Sequence, residues 1–294
     1  MTLNAFRRRI LAASMSLAAV VSVACGDTPD RDGPFEFPER WIDGTDSEEP
    51  RFQVHELAAG TWIIRQSLTT HFEAPFLYLL AGDERALLID TGAPTEPWLR
   101  QVVDGLIGEA FPLIVAHSHA HGDHVAGDSE FRSRPNTEIV GHAAEDVARF
   151  YRLEGWPQGS ANLDLGQRPL LVIPIPGHEP SSIAVFDERT GVLLTGDSLY
   201  PGRLYVRDFD AYRASVDRLV ETLAGASVSW VLGAHIEMTD QPGVDYEQRQ
   251  PSHPGERRLQ MTWDHLLELQ QALSGMGEEA EYTVLDGFIV YPLS

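Results

Sequence analysis

The chain contains no lysine: all 22 basic side chains among its 294 residues are arginine. That removes the amine chemistry of Schiff-base and pyridoxal-phosphate enzymes. It also removes the phosphate-binding lysine of a P-loop NTPase and the ion-pairing lysine of a protein kinase. Cysteine is nearly absent too, with Cys25 alone. Neither an intramolecular disulfide framework nor a cysteine-only metal cluster is available. Positive charge is scarce beside 44 acidic residues, and the formal net charge of −22 argues against a broad nucleic-acid surface, because such a surface must neutralise phosphates. No Gly-x-Ser-x-Gly elbow marks a serine nucleophile. The composition that remains, 43% hydrophobic and 22% charged, is that of an ordinary globular protein of one or two domains.

The first 24 residues read as a secretory signal peptide. Arg7, Arg8 and Arg9 precede an uncharged apolar run, Ile10 to Ala24, shorter than the ~20 residues needed to span a bilayer. The lone cysteine follows in Ser22-Val23-Ala24-Cys25-Gly26. This resembles a bacterial lipobox, with Ser22 where that pattern usually carries leucine. The resemblance implies a lipid on Cys25 and membrane attachment at the bacterial cell envelope; the plainer alternative is a soluble exported protein cleaved nearby. Residues 1–24 carry three arginines and no acid, so their removal takes the charge from −22 to −25. Residues 25–50 hold nine acids, four prolines and three glycines with no periodicity, and read as a flexible acidic linker. The folded domain is expected over 51–294.

Beyond residue 51 short β-rich runs alternate with amphipathic segments. Strands are expected at 52–57, 61–66, 76–81, 86–90, 113–116, 138–141, 170–175, 183–187, 192–195, 229–232 and 282–291. Helices are expected at 95–107, 143–151, 211–223 and 261–273. Tyr212, Val216, Leu219, Val220 and Leu223 share one face of the third. The pattern suggests an α/β (α+β) fold with two packed sheets covered by helices.

One segment carries the chemistry. Directly after the apolar run Leu113–Ala116, residues 117–124 hold four histidines and an aspartate. Neutral imidazole and carboxylate are the usual ligands of zinc and related divalent metals. His119 and His121, two apart, can turn to one side of an extended segment. Asp123 and His124 can face a second ion. Three more candidates stand at expected strand ends: His178 in Pro176-Gly-His-Glu-Pro180, Asp197 in Thr195-Gly-Asp-Ser-Leu-Tyr200, and His235 in Leu232-Gly-Ala-His-Ile236. Each follows a glycine within two residues, which lets backbone approach closely.

The run His119-Ala-His121-Gly-Asp123-His124 resembles the HxHxDH signature of the metallo-β-lactamase superfamily, and His178, Asp197 and His235 match its remaining ligand positions in order. The resemblance covers roughly residues 52–290. It implies an αββα sandwich with two divalent ions, zinc first and iron or manganese as alternatives. By resemblance, His119, His121 and His178 hold one ion, Asp123, His124 and His235 the other, and Asp197 bridges them. Asp90, in Ile89-Asp90-Thr91-Gly92, resembles a recurrent motif that orients ligands from behind. His117 falls outside this register and reads as structural. His253 reads as a loop residue beside no metal, and His55, His142 and His265 match no ligand motif.

A two-metal site implies hydrolysis by a bridging hydroxide, with Asp123 passing its proton to the leaving group. An aspartate at position 197 points towards thioesterases of the glyoxalase II type, lactonases and phosphodiesterases, and away from the zinc β-lactamases. Tyr200 resembles a tyrosine that some lactonases of the family use at the substrate carbonyl. Candidate substrate contacts are His71, Phe72, Phe76 and Trp156, with Arg203 and Arg207 for an anionic group. The expected substrate is a small ester, thioester or lactone. The alternatives are a phosphodiesterase, a β-lactamase-like amide hydrolase, an iron-dependent oxidative enzyme and a non-catalytic metal-binding lipoprotein.

Overall fold

The computed structural model describes residues 35–293; the signal peptide and Cys25 lie outside the described residues. The chain begins its regular structure with β1 (Phe52–Ala58), β2 (Thr61–Gln66), β3 (Phe76–Ala81) and β4 (Ala86–Ile89). It continues through α1 (Leu99–Ile107), β5 (Leu113–Ala116), α2 (Gly122–Val125), α3 (Asp128–Phe131), β6 (Thr137–Ile139) and α4 (Ala144–Tyr151). Next come β7 (Ala161–Asp164), β8 (Pro169–Pro174), β9 (Ile183–Asp187), β10 (Val192–Gly196), β11 (Arg203–Val206) and α5 (Phe209–Thr222). The last elements are β12 (Trp230–Gly233), β13 (Gln260–Met261), α6 (Trp263–Gly275), β14 (Thr283–Val284) and β15 (Ile289–Pro292).

Strands β1 to β6 form one sheet in chain order, and β13-β12-β10-β9-β8-β7 form a second. Alternation along each strand sends one set of side chains inward and the other outward. The inward sets, including Tyr78, Leu87 and Ile89 of the first sheet and Val185, Leu194 and Leu232 of the second, meet in a shared core. The outward face of the first sheet packs Leu77, Leu88 and Val115 against Leu99, Val103 and Phe131 of α1 and α3. That of the second packs Phe186, Leu193 and Val231 against α5 and α6 through Val216, Leu219, Leu266 and Leu269. The result is the expected αββα sandwich. Because both faces are covered, β3 and β4 are apolar throughout rather than alternating.

Four differences from the sequence reading have physical causes. The helix expected at 95–107 starts at Leu99, since Pro97 holds the residue before it away from helical geometry. The closing strand expected at 282–291 is a hairpin, β14 paired antiparallel with β15, turned at Asp286-Gly287. β7 and β11 went unread; β7 (Ala-Asn-Leu-Asp) has half-exposed polar positions that mask its pattern. The linker reading fails over 35–50: Trp41 is buried in the inter-sheet core, with Phe35 and Phe37 packed beside it, and Asp43 is 1% exposed. Three aromatics among the acids bury enough apolar surface to hold the segment down.

Buried arginine was also unexpected. Arg168, between β7 and β8, is 0% exposed. Its Nη1 donates to the carbonyls of Gly60 (2.5 Å) and Ala81 (3.0 Å) on the first sheet. Its Nη2 donates to Asp187 of β9 at 2.7 Å. One guanidinium thus ties one sheet to the other.

Candidate metal centre

Parallel pairing sets the level at which strands end. Ile89 of β4 pairs with Ala116 of β5, and Gly196 of β10 with Gly233 of β12. Asp90, the histidine run, Asp197 and His235 therefore leave the two sheets at one edge of the sandwich. The approach is close: a Cβ on Gly196, whose φ is +52°, would meet the Ser118 Cβ at 2.6 Å. The loop bearing His178 is pinned from the other side by α5. The backbone N–H groups of Arg207 and Asp208 donate to the Gly177 carbonyl at 3.0 and 2.9 Å. With φ +138° and Tyr212 Cα 2.3 Å from any added Cβ, position 177 accepts only glycine.

All seven residues singled out at this edge come together. One ligand atom each from His119, His121, His178 and Asp197 lies within 4.8 Å of the others, and the same holds for Asp123, His124, Asp197 and His235. Asp197 belongs to both groups. Its Oδ2 lies 3.7 Å from His119 Nε2 and 3.5 Å from His178 Nε2. Its Oδ1 lies 3.5 Å from His124 Nε2 and 3.3 Å from His235 Nε2.

The imidazoles are aimed by their other nitrogens. His178 Nδ1 is 2.8 Å from the Tyr205 carbonyl, and His235 Nδ1 is 2.9 Å from the Glu73 carbonyl. A carbonyl only accepts, so each ring must carry its proton on Nδ1 and turn the Nε2 lone pair to the centre. His124 Nδ1 is held at 2.8 Å by Asp90 Oδ2. Asp90 also accepts from the Ser118 backbone N–H and hydroxyl at 2.7 and 2.8 Å. It is fully buried at φ +68°, in position to orient His124.

The electrostatics show what the donors need. Burial, reinforced by neighbouring imidazoles, pushes His119 well below the usual histidine range and lowers His178, leaving neutral rings with free lone pairs. For His124 and His235 burial acts the same way, but the surrounding carboxylates (Asp90, Asp197 and Asp123) outweigh it and hold both well above the usual range. This edge therefore concentrates buried negative charge that calls for cations. His124 Nε2 and Asp197 Oδ1 are buried with no hydrogen-bond partner, the condition of ligand atoms whose partner is an ion. The donor set fits divalent metal.

The other expected contacts divide. Phe72 lines a cavity of about 260 Å³ beside His235, together with Glu73, Tyr205, Ile236, Glu237 and Arg249. His71 stacks on Phe72 with ring centroids 4.6 Å apart. Phe76 is instead a core residue at 0% exposure, and Trp156 lines a depression against α4. Both are large apolar side chains that the inter-sheet core claims. Arg203 reaches the cavity with its charge spent on Glu237 (3.2 Å) and Asp245 (2.7 Å). Arg207 lines neither this cavity nor the α4 depression. Of the remaining histidines, His55 bonds the Glu36 carbonyl, His265 closes the N-terminal cap of α6, and His253 stacks on Tyr246.

Tyr200 does not offer the free phenol expected of it. Its hydroxyl donates to the Arg203 carbonyl and lies 3.2 Å from Glu237 Oε2, and its ring is 1% exposed in the outer core. A phenol has one proton to give, and the protein already takes it. Tyr200→Phe should leave turnover within severalfold of wild type while costing about 1 kcal/mol of stability from the lost hydrogen bond; parallel kinetics and urea unfolding would check both.

Glu73 and Glu237 escaped the sequence reading. Burial pushes the Glu73 carboxyl up to about 7, against the lowering influence of His235 and with further raising by Asp123, Glu237 and Asp197. Glu73 sits in an irregular loop without a motif. For Glu237 the available signal was its place two residues after His235.

The metallo-beta-lactamase superfamily model matches residues 73–235. A hydroxyacylglutathione hydrolase of Anaeromyxobacter dehalogenans is 35% identical over 42% of this chain and 46% of its own length. The acyl-coenzyme A thioesterase MBLAC2 of Gallus gallus is 25% identical over 64% of this chain and 81% of its own. The chain thus spans about half the length of the first of these relatives. Among solved structures, a metallo-beta-lactamase from Pontibacter korlensis superposes with a TM-score of 0.52 at 19% identity, covering 76% of this chain and all of that one.

Proposed function

The chain belongs to the metallo-β-lactamase superfamily, and within it we propose a dinuclear metal-dependent hydrolase that cleaves a thioester, an ester or a lactone. The observation that carries this reading is Asp197, whose two carboxylate oxygens face two separate ligand groups. Two divalent ions bound there would polarise the scissile carbonyl and activate water at neutral pH. His119, His121 and His178 would hold one, Asp123, His124 and His235 the other. Asp123 keeps a side chain that is 17% exposed, enough to accept a proton and return it to a leaving group. Asp90 and the carbonyls of Glu73 and Tyr205 fix the rings so that no reorganisation accompanies the reaction.

A thioester ranks first because two relatives are named for hydrolysing acylglutathione and acyl-coenzyme A. Phe72 and Ile236 line the cavity beside His235, with Arg249 over the Phe72 ring at 5.1 Å, which supports an acyl chain as the group bound there. Export to the cell envelope, with Cys25 as the lipid anchor, belongs to the same proposal. The test is a hydrolysis panel of thioesters, lactones, phosphodiesters and β-lactams with zinc-loaded protein. Thioester turnover should lead, vanish on chelation and return with zinc. A phosphodiester or β-lactam preference would overturn the substrate class. Elemental analysis should find about two divalent ions per chain or more; one or fewer overturns the dinuclear reading.

A further inference from the structure

Outside the seven residues, three more potential ligands converge at the same edge of the first sheet. β5 and β6 are parallel neighbours, so their ends deliver His117 and, just beyond Val140-Gly141, His142 to one place. Asp128, the first residue of α3, reaches between them. Its Oδ1 is 2.8 Å from His117 Nε2, and its Oδ2 is 2.8 Å from His142 Nε2. One ligand atom from each of the three lies within 4.8 Å of the other two. The two rings stand 88° apart with centroids at 4.7 Å. The pairs His119–His121, His119–His178 and His121–His178 show the same arrangement, at 4.6, 4.8 and 4.8 Å and 81°, 88° and 81°. A carboxylate only accepts, so in this structure each ring gives its Nε2 proton to Asp128. A divalent ion held by the same three atoms would take the place of those two protons.

We propose that His117, Asp128 and His142 form a further divalent-cation site, separate from the seven-residue centre and suited to zinc. Two imidazoles and a carboxylate are a zinc donor set. His117 and Asp128 have side chains only 4% and 10% exposed, while that of His142 is 40% exposed, so an ion enters from one side and solvent supplies the remaining position. The carboxylate is itself steadied, since Thr91 Oγ1 donates to Asp128 Oδ1 at 2.9 Å. Thr91 also donates through its backbone N–H to the His124 carbonyl at 2.7 Å. An ion on Asp128 would thus brace the chain that carries His124.

The test is zinc bound per chain, measured by equilibrium dialysis of the full chain against buffered free zinc. His142→Ala, at a half-exposed position, should bind one equivalent less than wild type, and Asp128→Asn should show the same deficit. Repeating the comparison in an Asp197→Ala background separates the result from the occupancy of the main centre: the one-equivalent difference should persist there. Equal zinc content of wild type and His142→Ala overturns the site and identifies the cluster as a hydrogen-bonded His–Asp–His brace.

Discussion

Hydrolysis by the Asp197→Ala variant should fall by well over the roughly 100-fold that losing one outer-shell partner of a metal site can cost. The reason lies in the division of the carboxylate. Oδ2 faces His119 and His178, while Oδ1 faces His124 and His235. Removing it takes a ligand from both groups at once and leaves six donors where seven stood. It also deletes buried negative charge that favours cations. The loss should appear in kcat, because the cavity beside His235 is lined by other residues. Asp197→Asn keeps the shape without the charge, and should recover little. Turnover equal to wild type in a folded Asp197→Ala protein would show that this residue does not join the metals. Thermal melts followed by circular dichroism would separate loss of activity from loss of fold.

The second large effect concerns stability. Arg168→Met should lower the unfolding free energy by about 3–5 kcal/mol, the usual cost of breaking a buried ion pair from one side. Asp187, 1% exposed, would keep only its neutral donors, such as the Thr190 hydroxyl at 2.6 Å. The Ala81 carbonyl would lose the Arg168 donor as well, while that of Gly60 would keep the Ala81 N–H at 2.8 Å. The double variant Arg168→Met, Asp187→Leu removes the stranded charge and should regain a substantial part of the loss. Urea unfolding midpoints measure both. A single variant as stable as wild type would show that the pair contributes nothing net.

What could be read in advance follows from how locally each feature is encoded. The histidine run and the three glycine-preceded ligands are short motifs at strand ends, where backbone direction alone decides what is brought together. Tyr212, Val216 and Leu219 of α5 follow helical spacing and are buried. Features that pair residues distant in sequence were not legible. Arg65 meets Glu256 across 191 positions at 2.5 Å, and no spacing rule connects them. Buried arginines look like surface charge until their partners are known. Trp41 was obscured by the acids around it. Tyr200 was legible as a residue near the site, but the partner of its hydroxyl depends on the path of β11, which carried no clear strand signal. Glu73 lies in the loop before β3 and meets His235 from the end of β12 in the other sheet. Asp128, at a helix start, gains its neighbours from the parallel β5–β6 pair; no motif announces either.

The site edge is also a seam. The Ser118 carbonyl of the histidine run accepts from the Ile183 N–H of β9 at 2.8 Å. From the first sheet, Phe76 N–H donates to the Ala234 carbonyl at 2.8 Å, and the Tyr78 hydroxyl to the Gly233 carbonyl at 2.5 Å. The ligands therefore act as a gauge of how the two sheets are spaced. A substitution deep in the shared core that shifts one sheet by a fraction of an ångström would disturb the spacing of these seven side chains before it reached the melting temperature. Variant screens scored on turnover would then assign such core positions to the active site. The rim of the cavity, by contrast, can change its side chains without moving the gauge, so that on the proposed reading of that cavity substrate preference can drift while the seven side chains stay in place.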